Sequence, residues 1–386
     1  MSLLVVNPRK SPGRAPATQT GRLVSFTLPA LPGEPLEALC RRFAVRLHEL
    51  AATPLHLQVF GQCRASAAFA DSLRHHFSRV DWPITWAEGS PCGSQPVSGG
   101  QRVPPAFAEE IPAQPIAGLQ VHAFAGNVER VVWDGRFIGS VFTDGGARQC
   151  LVGGLMPEAR AVSRPDQTRH ALETLQALLA QAGFELGDVV RTWFFLDQIL
   201  AWYGEFNPVR TKIYSGVKFR TGSLPASTGV GARNPSGAAL ALAAWAFRPL
   251  GPDSYAEPVA SPLQCPAPAY GSSFSRAMET SANYGRRLFV SGTASIAPSG
   301  QTLWVGDVRQ QVDQTMDVVE AILRSRGFSL PDLACATAYF RHPTDAGVLA
   351  EWLAANGLSS LPVIVAQCDV CRDDLLFELE AEAAGE

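Results

Sequence analysis

Net charge of either sign is scarce in this chain: 32 Lys and Arg stand against 35 Asp and Glu, a balance of −3 over 386 residues. A surface without a basic excess offers no electrostatic footprint for phosphate backbones, so nucleic acid is not an expected partner. Long apolar runs are missing as well, and none is long enough to span a bilayer. The opening MSLLVVNPRKSPGR places its short apolar patch before its basic residues, the reverse of a secretory signal. A soluble cytoplasmic protein is the expectation. Paired metal ligands are also lacking. Cys40, Cys63, Cys92, Cys150, Cys265 and Cys335 stand singly, mostly in apolar segments, the habit of buried free thiols. Cys368 and Cys371 form a C-x-x-C, but no second close pair and no histidine pair completes a zinc set. A redox motif needs a helix start after its first cysteine, whereas strand-like PVIVAQCDV precedes this one and a strand follows. No metal and no cofactor is therefore expected.

What is present is a globular composition, long enough for two or three units of ordinary domain size. The segments QTRHALETLQALLAQAGFELGDVV and QVDQTMDVVEAILRSRGFSLPDLA share one layout. Gln167 to Phe184 is 17 positions, and so is Gln311 to Phe328. In each, apolar residues recur at helical spacing until Gly183 or Gly327 stops the helix, and a β-like run follows, VVRTWFFL or ACATAYFR. Upstream, QCLVGGL matches LFVSGTA; downstream, PASTGVGARNPSGAALALAAWAF aligns with PVIVAQCDVCRDDLLFELEAEAA without a gap. Two copies of a hairpin, helix, strand, helix, strand, strand unit result. The N-terminal third repeats that order (helix EPLEALCRRFAVRLHEL, strand PLHLQVFG, helix FADSLRHHF, then WPITWAEG and LQVHAFAG) with a degenerate beginning and a Pro/Gly-rich insertion from Ser90 to Gly118. It reads as a third, weaker copy, the alternative being an unrelated α/β cap. The predicted fold is α+β, with units at 1–125, 126–252 and 253–386 whose second sheet faces close on one another.

The end of the chain bears most directly on function. Read as a strand, DVCRDDLLFELEAEA turns Leu375, Phe377, Leu379 and Ala381 to one face and Glu378, Glu380 and Glu382 to the other. Three carboxylates in a row usually mark the wet side of a half-buried strand. The sister copy argues otherwise, because the same register places Ala241, Ala243 and Trp245 there. That face is expected to be buried, where a carboxylate is costly unless paired or protonated.

The repeating unit resembles the Rid (YjgF-like) fold, whose members close into trimers with sites between subunits. More specifically, QCPAPAYGSSFSRA, RRLFVSGTASIAP and DVCRDDLLFELE are similar to segments of the chorismatases, in which Rid-like units are fused. The likeness runs from about Val131 to Ala383. It implies an intramolecular pseudo-trimer with a degenerate N-terminal unit, and removal of the enolpyruvyl group of chorismate as pyruvate. It departs from ordinary Rid deaminases, which hold the substrate carboxylate with a strand arginine: Ser227 and Ile364 stand at the corresponding positions, and Phe274 replaces their tyrosine.

The chemistry implied by the resemblance is protonation of the enol ether's terminal methylene by a carboxylic acid kept neutral by burial. Glu378 is the expected donor, with Glu380 as reserve or as a neighbour that raises its pKa. Cys371 resembles the cysteine of the type that forms 3-hydroxybenzoate; the alternative is a buried structural thiol. 4-Hydroxybenzoate as a second product is left open. A dianionic substrate asks for arginines, and Arg210, Arg148 and Arg276 are the candidates. Tyr203 and Asn207, on the Arg210 side of one helix, are expected to donate hydrogen bonds. Gly292 and Thr293 are expected to bring backbone N–H groups close. The competing readings are a Rid-like enamine/imine deaminase and a non-catalytic metabolite-binding scaffold. A monomer containing the pseudo-trimer is expected, with the oligomeric state left open.

Overall fold

The computed structural model describes residues 21–92, 115–157, 162–282 and 285–385. The opening peptide and most of the Pro/Gly-rich insertion lie outside the described residues. The first unit runs β1 (Arg22–Pro29), α1 (Leu36–Glu49), β2 (Thr53–Gly61), α2 (Ser66–His76) and β3 (Ile84–Ala87), then a two-residue strand β4 (Ser90–Pro91) and β5 (Ile116–Ala125). The second comprises β6 (Val128–Trp133), β7 (Arg136–Asp144), β8 (Ala147–Leu155), α3 (Arg164–Gln181), β9 (Val189–Leu196), α4 (Ile199–Ser215), β10 (Ala226–Gly231) and β11 (Leu240–Pro249). The third comprises β12 (Tyr255–Val259), β13 (Ala277–Ala282), β14 (Gly285–Ala294), α5 (Val308–Arg324), β15 (Leu333–Phe340), α6 (Gly347–Ala355), β16 (Val363–Gln367) and β17 (Phe377–Gly385).

Sheet two has the order β6-β7-β8-β11-β9-β10, and sheet three repeats it as β12-β13-β14-β17-β15-β16, with β4 added at its edge. Sheet one, β1-β5-β2-β3, is the same arrangement without the first two strands. The shared helix boundaries have local causes. Ser163 and Asp307 cap α3 and α5, each accepting from a backbone N–H three residues on. Gly183 (φ +77°) and Gly327 (φ +76°) then take the left-handed turn that ends each helix.

Each sheet buries one face against its own helices: Phe43 and Phe69 under sheet one, Leu172 and Phe206 under sheet two, Val319 and Ile322 under sheet three. The opposite faces share a single central core. Phe60, Phe195 and Tyr339 occupy matching positions on β2, β9 and β15, opposite Gly118, Ala241 and Glu378 respectively. The Phe60 ring lies 6.1 Å from Phe195 and 6.0 Å from Tyr339. The row Ala241, Ala243 and Trp245 faces this core and is fully buried.

One expectation is corrected. The last strand begins at Phe377 rather than Asp369, and β16 and β17 are not neighbours, because β15 lies between them. The chain must cross the end of β15 to reach its far edge, so residues 371–376 form a turn. Val370 and Leu375 anchor that turn against Ala294 and Ile296.

Candidate active site

The pleat of β17 divides the terminal strand as its sequence alternates. Phe377, Leu379, Ala381 and Ala383 pack towards α5, and Glu378, Glu380 and Glu382 point the other way, each less than 5% exposed. The three carboxylates have different fates. Glu382 accepts from Ser25 Oγ at 2.7 Å and from His122 Nε2 at 2.9 Å, and it is ion-paired with Arg287. Burial alone would raise its pKa, but His122 and Arg287 outweigh burial and hold it at about 2. Glu380 is paired with Arg191 Nη2 at 2.6 Å and accepts from the Tyr339 hydroxyl at 2.9 Å. Glu378 makes no side-chain hydrogen bond among the described residues. Burial pushes its carboxyl up to about 8 and the Glu380 charge adds to this, while Arg191 and Arg276 pull the other way. Glu378 is thus the carboxyl held neutral at pH 7.

Glu378 lies in the wall of a cavity of about 710 Å³, including its open mouth, at the seam between sheets two and three. That size suits a small metabolite. Arg210 reaches in from α4, fixed by Asn207 Oδ1 at 2.7 Å and stacked over Phe206. Arg276 donates Nε–H to the Cys265 carbonyl at 2.9 Å and lies over the Tyr270 ring. Arg210 Nε and Arg276 Nη2 are buried without a protein partner among the described residues. Two guanidinium groups with unused donors facing one cavity favour an anionic ligand. Tyr203 also lines the cavity, its hydroxyl raised by burial and further by Cys371. The Cys371 thiol, half-buried in the turn after β16, is pushed up to about 12 by burial and by Glu378. It is a neutral thiol at pH 7 rather than a thiolate nucleophile.

The structure brings together Glu378, Cys371, Arg210, Arg276, Tyr203, Asn207 and Gly292. It leaves two expected residues out. Arg148 donates to the Ala182 carbonyl at 2.8 Å and stacks on Phe184, so it serves the C-terminal end of α3 instead. Thr293 points to the other side of β14, because Gly292 and Ala294 take the cavity side of the pleat. Gly292 has a different role from the one expected. Its N–H is given to Thr228 Oγ1 at 3.1 Å, and a Cβ on it would lie 2.0 Å from Glu378 Oε1. It provides the space that the carboxyl occupies. The cavity also contains Tyr270, Ser272, Gly229 and Arg372, which sequence reasoning did not single out as site residues. Arg191 was missed too, although an arginine inside VVRTWFFL was a visible signal.

The corresponding positions at the other two seams are filled. A Cβ at Gly153, the counterpart of Gly292 in sheet two, would meet the His56 ring at 2.3 Å. At the seam of sheets three and one, Ile364 packs against Gly118, the counterpart of Glu378. Alanine and glycine stand where the third unit has its acid.

Comparison with known proteins agrees with this architecture. The Endoribonuclease L-PSP family pattern matches residues 153–240. A RutC family protein of Pyrococcus horikoshii is 34% identical over 101 residues, covering 26% of this chain and 79% of that protein. The chain belongs to the RutC family, the group of Rid-like α+β folds. Beyond that shared unit, the 3-hydroxybenzoate synthase of Streptomyces hygroscopicus is 26% identical over 238 residues, covering 56% of this chain and 68% of the synthase. A chorismatase crystal structure superposes with a TM-score of 0.64 at 20% identity, covering 95% of this chain and all of that one. That likeness extends the shared fold across the N-terminal sheet as well.

Proposed function

We propose that this protein is a chorismatase that removes the enolpyruvyl group of chorismate as pyruvate and releases 3-hydroxybenzoate. The observation that carries this is Glu378, a carboxyl kept protonated near neutral pH in a cavity with two arginines whose donors are unspent. The similarity to a 3-hydroxybenzoate synthase supports the same reading. Three units closing as an intramolecular pseudo-trimer account for why the site lies at a seam, and the shared central core supports that arrangement.

The substrate's two carboxylates are bound by Arg210 and Arg276, with Tyr203 and Asn207 beside them. Glu378 delivers its proton to the terminal methylene of the enol ether, forming an oxocarbenium ion, and the resulting carboxylate stabilises that cation. The ring hydroxyl then captures the cation and the ring aromatises as pyruvate departs. The atoms balance without water, because chorismic acid divides wholly into hydroxybenzoic acid and pyruvic acid. Capture by water instead gives a dihydrodiol acid plus pyruvate. The deaminase alternative is disfavoured because Ser227 and Ile364 replace its strand arginine. The test is incubation with chorismate, with pyruvate followed enzymatically and ring products by mass spectrometry. Absence of pyruvate overturns the proposal.

Two variants probe the cavity. Cys371 fills volume beside Glu378 that a water would need, and competing captures differ by only a few kcal/mol. Cys371→Ala is expected to divert flux from the aromatic acid to a dihydrodiol, read as their ratio by chromatography. An unchanged ratio would make Cys371 structural. Gly292→Ala displaces the Glu378 carboxyl, the movable end of a side chain, so the fold is kept while geometry is lost. Turnover is expected to fall by about 100-fold, with unfolding free energy changed by less than about 1 kcal/mol. Near-normal turnover would show that the carboxyl needs no such space.

A further inference from the structure

We infer that Arg191 and Glu380 form a positioning pair for the proton donor, which holds a fixed negative charge and a fixed backbone beside Glu378. The inference rests on the reading of Glu378 as the acid, and neither member of the pair lines the cavity. Arg191 comes from β9 of the second unit and Glu380 from β17 of the third, so the pair crosses the seam that forms the site. Both are only 2% exposed. The same Arg191 Nη2 that contacts Glu380 also donates to Thr228 Oγ1 at 2.6 Å. Thr228 in turn accepts the Gly292 N–H, directly beneath the Glu378 carboxyl. Arg191 therefore ties the acid's floor to the acid's neighbour. Tyr339 and the stacking of Arg191 on Trp193, 4.7 Å away, fix the pair from its other sides.

The electrostatic setting gives Glu380 a charge that adds to the effect of burial on Glu378. On its own strand it sits two residues from Glu378, about 7 Å by strand rise. The thiols Cys368 and Cys371 and the phenols Tyr203, Tyr270 and Tyr339, on the elements packed around the acid, are all pushed up by burial and stay neutral at pH 7. The facing cations are Arg191, Arg276, Arg210 and Arg372. Among the described residues, Glu380 is accordingly the carboxylate that opposes loss of the Glu378 proton. Arg191 acts on Glu378 in the opposite sense to Glu380.

The experiment is a pH profile of pyruvate release, together with an infrared titration of the protonated-carboxyl band that Glu378→Gln removes. Glu380→Gln is expected to move the alkaline limb and the infrared midpoint together to lower pH, by about one to two pH units. Arg191→Met combined with Glu380→Gln removes both charges and is expected to return both readouts part of the way towards wild type. This neutral pair also keeps the test open should the single variant fail to fold, because a buried pair replaced as a whole is tolerated better than one broken. Both readouts at the wild-type position in a folded variant would overturn the proposal. The infrared midpoint does not depend on turnover. A protein that releases no pyruvate therefore defeats the chorismatase reading, while an unmoved midpoint defeats the pair.

Discussion

Replacing Glu378 with Gln is expected to reduce pyruvate release from chorismate by roughly 10²–10⁴-fold, the usual contribution of a placed general acid. The amide has the shape of the acid but no proton to give. The same variant should be the more stable protein above about pH 5. A carboxyl whose pKa is raised from 4.5 to about 8 on folding stabilises the native state fully only below the unfolded value. That contribution declines as pH rises towards 8, and Gln removes the decline. Lost turnover with gained stability at pH 8, measured by chemical denaturation, separates a catalytic acid from a structural one. Near-normal turnover in Glu378→Gln alongside a dead Glu380→Gln would mean that the acid is the neighbouring carboxylate.

The second large effect is on folding. Glu382→Gln leaves His122 and Arg287 buried without their carboxylate and is expected to cost about 3–5 kcal/mol at pH 7. Glu382 lies four residues along β17 from Glu378, about 13 Å by strand rise, so pyruvate release per folded molecule should be maintained. The pH dependence follows from a pKa lowered from 4.5 to about 2. Its stabilisation is complete above 4.5 and is lost as pH falls towards 2. Wild type should thus weaken across that window, and the variant should lack this contribution to the weakening. A variant as stable as wild type at pH 7 would show that the cluster contributes nothing net.

Alternate glutamates on one strand thus sit in three different settings, and the difference is set by what surrounds them in the closed fold. Glu382 meets His122 of β5 and Arg287 of β14, Glu380 meets Arg191 of β9, and Glu378 meets open space. None of those partners is near in sequence, the His122 and Glu382 pair being 260 residues apart.

The sequence by itself determined the repeating unit and the burial of its terminal row, and it singled out Glu378, which lines the cavity. These are written in local spacing: glycine at the end of two equivalent helices, alternation along FELEAEA, and alanine where the sister copy lacks the carboxylate. It also marked Arg210, Arg276 and Cys371, which the structure gathers into one cavity. Tertiary structure decided the rest. Arg148 was excluded because the end of α3 takes its donor, and Thr293 because one step along a pleated strand reverses the side chain. Gly292 proved to be a space for a carboxylate rather than a donor, and Arg191 a partner across the seam. Such facts depend on which surfaces meet when three sheets close. Contacts between residues far apart in the chain carry no periodic signal, so only the packed fold could give Glu382 its His122 and Arg287 partners, Glu380 its Arg191 and Glu378 a cavity.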